Sequence, residues 1–582
     1  MKKLLTLCAI LVFVETFAQV SFSIIEPASI AGGYDFTSNG DGPGWGLPNL
    51  LDPADAVMDT VIIADDGTPG LNAQGIPFAN ECCSPVINDL TGKIAMVYRY
   101  DGVSTIDCYG GTRIMNAQNA GAVGVIFVNR DDNLYGYSGT VDGAGVMIPF
   151  AFITKTDGAI IRAKVEAGED VVAFIGNKLG LYGDDIGVTK PTSLIPSSVA
   201  RPALLSLDDT EFSFDAGTKI YNYGTNTQSD ITLTATVNGP GVSWTQSSGP
   251  HSVASGDSID IYTGGVNDIP AFSNATYPTG KYTLTYSATI GALDEAAYDN
   301  SVSFNFFISD TIFTYGNIDT ITLLPKAISY YRPSGSGSFS MCSVLDDANG
   351  SRLGAAGIFF SAATGYGSGV SLDGELFELQ LYNWDDAFTD LNDAALDMID
   401  LNPIAEAEYI FLSDLQSEVV YAPFDAPVQL EDNQRHLACV TNYNTDVYLG
   451  YDTRTNYTRN VSHYLQPLFP VLTDGSYFVL GFGEDLAPSM SLRVFDANEL
   501  SAEENGGTKL EYFPNPASDV LNISGAEMLS VTVVSIAGQE IAKTSVTGLS
   551  AKLDVSDLAS GTYLADVQFA DGSSEKIRFV IK

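Results

Sequence analysis

Two textures of hydrophobic and polar positions divide this chain. Between residues 92 and 178, short apolar runs alternate with stretches of helical spacing. Lys93-Ile94-Ala95-Met96-Val97-Tyr98, Val123-Gly124-Val125-Ile126-Phe127-Val128 and Pro149-Phe150-Ala151-Phe152-Ile153 each have the length of a buried strand. Between them, Thr112 to Ala120 predicts a helix with Ile114, Ala117 and Gly121 on one side. A second helix is expected from an Asp157 N-cap through Ile160, Ile161 and Val165 to a stop at Gly168, followed by a strand over Val171 to Ile175. From about residue 205 the period becomes two. Ile231, Leu233, Ala235 and Val237 alternate with threonines, and Tyr282, Leu284, Tyr286, Ala288 and Ile290 and then Val302, Phe304, Phe306 and Ile308 repeat the pattern. One apolar face per strand is the mark of half-buried antiparallel sheets. The reading is therefore a multi-domain, mainly β chain: an α/β domain, then β-sandwiches.

Punctuation sets the expected boundaries. Residues 1–18 combine Met1-Lys2-Lys3, an apolar stretch from Leu4 to Val14 and a small residue, Ala18, which is the layout of a secretory signal peptide. Residues 19–204 hold the α/β part (core about 77–178) and end in a Gly-, Pro- and Ser-rich linker over 179–204. Residues 205–315 fit an immunoglobulin- or fibronectin-like sandwich, and 316–500 a larger, jelly-roll-like one. Within the latter, 376–382 and 477–481 read as strands, and the acidic 385–404 as a loop or helical turn. Ser501 to Thr508 reads as a linker before a small terminal β-sandwich over 508–582.

Two of these pieces resemble known families. Gly92-Lys93-Ile94-Ala95-Met96-Val97, Cys108, Asn116 through Val125, and Ile148-Pro149-Phe150-Ala151-Phe152-Ile153 together resemble the protease-associated (PA) domain. That resemblance implies a non-catalytic α/β domain that binds peptide or protein partners or gates access to a substrate. The usual single cysteine before the first strand is doubled as Cys82-Cys83. At the other end, Pro514-Asn515-Pro516, Gly538, Gly561 with Tyr563, and a last strand running from Lys576 to Lys582 resemble the type A C-terminal sorting domain of the type IX secretion system. This implies a Bacteroidetes source, the type IX secretion machinery as a partner, passage through the periplasm and outer membrane, and an extracellular or cell-surface destination.

Charge narrows the partners. With 27 Lys and Arg against 71 Asp and Glu, the net charge is −44, and such a surface repels a phosphate backbone, so nucleic acid is not an expected partner. No apolar run after residue 18 approaches the ~20 residues of a membrane-spanning helix. In an oxidising compartment Cys82, Cys83, Cys108, Cys342 and Cys439 are disulfide candidates. A bridge from Cys82 or Cys83 to Cys108 closes a loop worth about 3 kcal/mol, Cys342 and Cys439 form a second candidate pair, and one thiol is left over.

Chemistry is sparse. The three histidines, His251, His436 and His463, stand apart, with no His-Glu-x-x-His; Gly365 to Gly369 misses the register of a nucleophile elbow. Calcium is the one cofactor the residues suggest: Asp131 and Asp132, and Asp346, Asp347 and Asn349, cluster oxygen donors in loops, but without EF-hand spacing, and a plain polar turn is the better reading of each. The expected function is a secreted or surface binding protein, not an enzyme, whose partner is an extracellular protein, peptide or glycan. The competing expectation is a secreted peptidase or glycoside hydrolase with scattered site residues in 316–500.

Overall fold

The computed structural model describes residues 20–40, 42–101, 108–132, 134, 136–365, 369–453, 457–481, 483, 485–500, 510–535, 540–569 and 574–582. The expected signal peptide, Asn133, Gly538, the centre of the Gly365–Gly369 run and the 501–508 linker lie outside these residues. Two compact units divide the chain, Met1–Phe495 and Asp496–Lys582.

The first unit begins with an eight-stranded sheet. Its middle strands, Val57–Ile63, Ile94–Tyr98, Gly124–Val128 and Phe150–Ile153, are parallel neighbours. Val172–Asn177 and Val20–Glu26 extend it antiparallel on one side, and Phe36–Ser38 on the other. The two outermost strands, Gly32–Gly33 and Phe36–Ser38, are separated by only Tyr34 and Asp35. A span that short cannot bridge the edges of a flat sheet, so the sheet rolls up on itself. Phe22, Ile24, Met96, Ile126 and Ile153 pack on one face together with Ile161 of the helix Lys155–Glu166. Ala95, Val125, Phe127 and Phe152 pack on the other with Ile114 and Ala117 of the helix Gly110–Asn119.

The second helix starts earlier than its sequence suggests. Thr154 is the N-cap, accepting from the Asp157 backbone N–H at 3.0 Å while its own hydroxyl donates to the Asp157 carboxylate at 2.7 Å, so Asp157 is the third helical residue and its carboxylate holds the capping hydroxyl in place. Gly168 follows at φ +76°, a conformation that costs a side chain.

Residues 179–204 are not a linker. Ile186–Val188 pairs with Gly217–Asn222, Ala200–Pro202 pairs with Ser301–Ser309, and Leu194, Ile195 and Val199 are buried. The Pro and Ser residues punctuate short strands that are completed by distant partners, which local composition does not reveal. The period-two strands form the expected sandwich: Gln228–Gly239, Gly280–Thr289 and Ser301–Ser309 lie in one sheet, opposite Gly217–Asn222 and Ser258–Tyr262 in another. Two further sheets of seven and six strands enclose the core of the larger sandwich, where Phe360, Phe377, Leu379, Val440 and Leu492 meet. Of the expected strand 477–481 only Tyr477 and Phe478 are extended, within Ser476–Phe478, and the acidic stretch gives way to the strand Leu401–Ile410.

The helix Thr458–Tyr464 arises in the larger sandwich but packs Val461 into the core of the smaller one. Arg201 pairs with Asp347, and Arg352 with Glu211 at 2.7 Å, across the same boundary. The two sandwiches are therefore one body.

The second unit is a five-stranded antiparallel sheet with its own core, centred on Leu521, Val531, Val567 and Phe579.

Candidate binding cleft and sorting surface

In the first unit, a cleft of about 1210 Å³ opens where three parts of the fold meet. Tyr34, Asp35 and Phe36, the link between the two edges of the rolled sheet, form one wall. The strands Gly217–Asn222 and Ser258–Tyr262 present Lys219, Tyr221, Asp260 and Tyr262 as the second. Arg459 and Ser462, on the helix Thr458–Tyr464, form the third.

Specific contacts hold these walls. Lys190 Nζ meets both Asp35 carboxylate oxygens, at 2.8 and 2.6 Å. Tyr262 donates its hydroxyl to the Thr192 carbonyl at 2.5 Å. Lys219 stands 3.6 Å from Asp260. The Tyr221 ring stacks on Tyr223 at 5.6 Å, and burial pushes the Tyr221 phenol up to about 12, so it remains a donor at neutral pH. Over the Tyr262 ring lies the Arg459 guanidinium, 3.7 Å from the centroid. Arg459 Nε is buried without a hydrogen-bond partner among the described residues.

Behind the cleft, the rolled sheet is bolted to the smaller sandwich by a buried ion cluster. Lys178, the residue after the strand Val172–Asn177, donates to Asp185 Oδ1 at 2.6 Å and lies 2.7 Å from Asp299 Oδ2. Its ammonium also faces the rings of Tyr223 and Tyr298. Two carboxylates share one ammonium out of water, and burial raises Asp185 to about 7 and Asp299 to about 6.

The sequence did not single out any of these cleft residues. The residues it did single out fall elsewhere. Cys83 bridges Cys108 and Cys342 bridges Cys439, leaving Cys82 as a buried thiol. Asp131 accepts from Asn129 at 2.9 Å, Asp132 holds the Thr156 hydroxyl at 2.9 Å, Asp346 stands 3.8 Å from Arg435, and Asp347 pairs with Arg201 and accepts from the Asn349 N–H. Among the described residues, no three His, Cys, Asp or Glu side chains converge as a metal site would require. His463 Nε2 lies 2.8 Å from Asp215 Oδ2. His436 is buried, its Nε2 accepting from the Glu431 N–H at 3.3 Å.

In the second unit Asn515, Gly561 and Lys582 lie near the end of the last strand, Tyr563 stacks on Phe579 within that strand, and Lys576 stands farther along it, opposite Asp566. Asn515 Oδ1 accepts from the Val580 N–H at 2.8 Å, and the Lys582 N–H donates to the Ala517 carbonyl at 3.0 Å, so the Pro514-Asn515-Pro516 start is clasped to the last strand, Ser574–Ile581. Gly561 opens the neighbouring strand, Gly561–Phe569, opposite Ile581. Tyr563 stacks on Phe579 at 5.9 Å and donates to the Ala559 carbonyl. Lys576, on the final strand, and Lys582, just after it, are exposed.

Comparisons with known proteins agree with both ends of this description. Residues 57–161 match the PA domain, starting at the strand Val57–Ile63, which the sequence reading had left outside its core, and residues 511–582 match the secretion system C-terminal sorting domain. Beta-agarase D of Zobellia galactanivorans is 36% identical over 73 residues, 12% of this chain and 15% of that protein. An aminopeptidase from Aneurinibacillus sp. strain AM-1 is 21% identical with a TM-score of 0.19, over 27% of this chain and 30% of that one. A peptidase M28 precursor from Shewanella amazonensis SB2B is 19% identical with a TM-score of 0.18, over 27% and 34%. The chain thus spans about a third or less of the length of these relatives. Among the described residues, no helix is long and apolar enough to cross a membrane. With its PA domain at 57–161 and its type IX sorting domain at 511–582, the chain belongs among the β-rich proteins exported to the cell surface or the extracellular space.

Proposed function

We propose that the exported chain is a non-catalytic binding protein, and that the cleft between the PA domain and the two sandwiches receives its ligand, a peptide or an extended segment of a protein. The observation that carries this reading is the cleft itself. At about 1210 Å³ it exceeds an ordinary small-molecule pocket, and its tyrosines and paired charges suit an extended, partly polar chain. The Asp35–Lys190 and Tyr262–Thr192 contacts pre-form the walls, which lowers the ordering cost of binding. The two histidines on or near the larger sandwich fit structural roles: the buried His436 accepts from the Glu431 backbone N–H, and His463 is tied to Asp215.

The test is equilibrium binding and hydrolysis, measured together, of peptide and polysaccharide pools with the exported chain and with Tyr221→Ala. Saturable peptide binding without turnover, weakened about tenfold or more by removal of the Tyr221 ring, is the expected result. Turnover that disappears on substitution of an acid or histidine within 316–500 would replace this reading with a hydrolase.

A further inference from the structure

We propose that Arg459 anchors a carboxylate of the ligand, and that this carboxylate is the free C-terminus of a peptide. The inference rests on the cleft being the binding site and adds which chemistry it recognises.

The argument begins with charge. Acidic residues outnumber basic ones 71 to 27, so a cation has many potential partners within the chain. The other two bases lining the cleft have found theirs, Lys190 in Asp35 and Lys219 in Asp260. Arg459 has no carboxylate within 4.0 Å among the described residues, and its Nε is buried with no acceptor. The enclosed Nε is closed to a ligand, but the two terminal nitrogens also lack a partner among the described residues and are not enclosed, so an acceptor in the cleft can reach them.

Geometry points the same way. The guanidinium carbon sits 3.7 Å from the centroid of the Tyr262 ring, a contact that holds the group in place and leaves the N–H groups not facing the ring for a second partner. Tyr262 is itself fixed by its hydrogen bond to Thr192, so the platform is rigid. A planar fork of donors held in one orientation is suited to a carboxylate, which accepts two parallel hydrogen bonds.

The remainder of the cleft decides what carries that carboxylate. Asp157, Asp299 and Asp485 also line it, and the Lys190–Asp35 and Lys219–Asp260 pairs are already neutral. A polyuronate bears a negative charge on every sugar and would set further carboxylates against these aspartates. A peptide with a single terminal carboxylate places its one anion on Arg459 and offers amides, hydroxyls or a cation to the rest.

The experiment uses the full exported chain and two pools of the same short synthetic peptides, one with free C-terminal acids and one with C-terminal amides. Retention of each peptide after ultrafiltration is quantified by mass spectrometry for the wild type, Arg459→Lys and Arg459→Gln. A third pool contains oligouronates. The expected result is that acids bind about tenfold or more tightly than amides, that Arg459→Gln abolishes the difference and that Arg459→Lys keeps part of it. Equal retention of acids and amides by the wild type overturns the anchor while leaving the cleft as a binding site. An acid preference that persists in Arg459→Gln overturns Arg459 as its source. Oligouronates retained in place of peptides, and lost in Arg459→Gln, overturn the peptide assignment. Retention of none of the pools overturns both this proposal and the binding reading beneath it. An unchanged melting temperature in both variants excludes misfolding as the cause of lost binding.

Discussion

Asn460 brackets Ile195 across 265 residues of sequence: its Oδ1 accepts from the Ile195 N–H at 3.0 Å, and its Nδ2 donates to the Ile195 carbonyl at 2.9 Å. The side chain thus serves a buried segment of backbone as a paired strand would. It joins the helix Thr458–Tyr464, which bears Arg459, to the segment that leads out of the cleft wall at Thr192. Asn460→Ala strands a buried donor and a buried acceptor together, at roughly 1–3 kcal/mol each. The expected outcome is a loss of about 3 kcal/mol in the first unit, read as a lower urea midpoint at unchanged slope. A midpoint within error of wild type would show that water takes over the role of Asn460.

The Lys178 cluster makes stability depend on pH in an unusual direction. Asp185 and Asp299 have folded values of about 7 and about 6, above the ~3.9 of an unfolded aspartate. Between these limits the folded state holds more protons, so the contribution is complete below about pH 4 and is lost as pH rises through 6 to 7. Asp294 adds a further negative charge to both, and Lys178 is the cation opposing them. The oxygens Asp185 Oδ2 and Asp299 Oδ1 lack hydrogen-bond partners among the described residues. Asp185→Asn keeps an acceptor for Lys178 and removes one buried negative charge. It is expected to stabilise the chain at pH 8 by at least about 1 kcal/mol and to have little effect near pH 4, as read by calorimetric melting across that range. A variant less stable than wild type at pH 8 would mean that the ammonium needs both carboxylates.

His436 pulls the other way. Burial lowers its imidazole to about 4, so the folded state keeps it neutral where the unfolded chain, at about 6.5, takes up a proton. Its contribution is present above about pH 6.5 and is lost as pH falls toward 4. In the wild type the two effects offset one another over that window. Asp185→Asn removes one of the two opposing groups and leaves Asp299, so its melting temperature should rise less, or fall more, than that of the wild type between pH 6.5 and 4, and adding His436→Gln, which retains an acceptor for the Glu431 N–H, should reverse that change. An unchanged acid slope in the double variant would assign it to other groups.

What the sequence revealed, and what it hid, follows from how far apart the interacting residues lie. The α/β texture of residues 92–178 and the threonine-alternating strands were legible because period and burial are set by immediate neighbours, as at Ile114 and Ala117 or Leu233 and Ala235. The sorting domain was legible because its motif residues also make its contacts, with Asn515 reaching Val580 and Tyr563 reaching Phe579. The cleft was not. Its walls come from residues 34–36, 219–262 and 459–462, each an unremarkable polar stretch until the fold brings them together. The same holds for residues 179–204, whose Pro and Ser content signals a linker although Leu194 and Ile195 are buried by partners far along the chain. Lys178, an ordinary lysine in sequence, becomes a buried ion only because Asp185 and Asp299 close over it.

The cysteines provide the last prediction. Sequence left Cys82 and Cys83 as alternatives for Cys108, and the backbone chooses between them. Cys82 has φ +55°, which turns its side chain into the core beside Leu90 and Ile114 and sets Cys83 toward Cys108. Burial also pushes the Cys82 thiol well above its usual range, so little thiolate is available for exchange. Alkylation without reductant should therefore leave Cys82 unlabelled in the folded chain and label it in concentrated guanidinium, as read by peptide mapping. In Cys83→Ser, Cys108 should become labelled while Cys82 stays protected, because a bridge to Cys82 requires the core to open. That variant should also lose about 3 kcal/mol, the loop-closure value for a separation of 25 residues, against about 5 kcal/mol for the 97-residue separation of Cys342 and Cys439. Recovery of a Cys82–Cys108 peptide from Cys83→Ser would show that the buried thiol is a resolving partner held in reserve, and that the core around Leu90 opens more readily than its packing indicates.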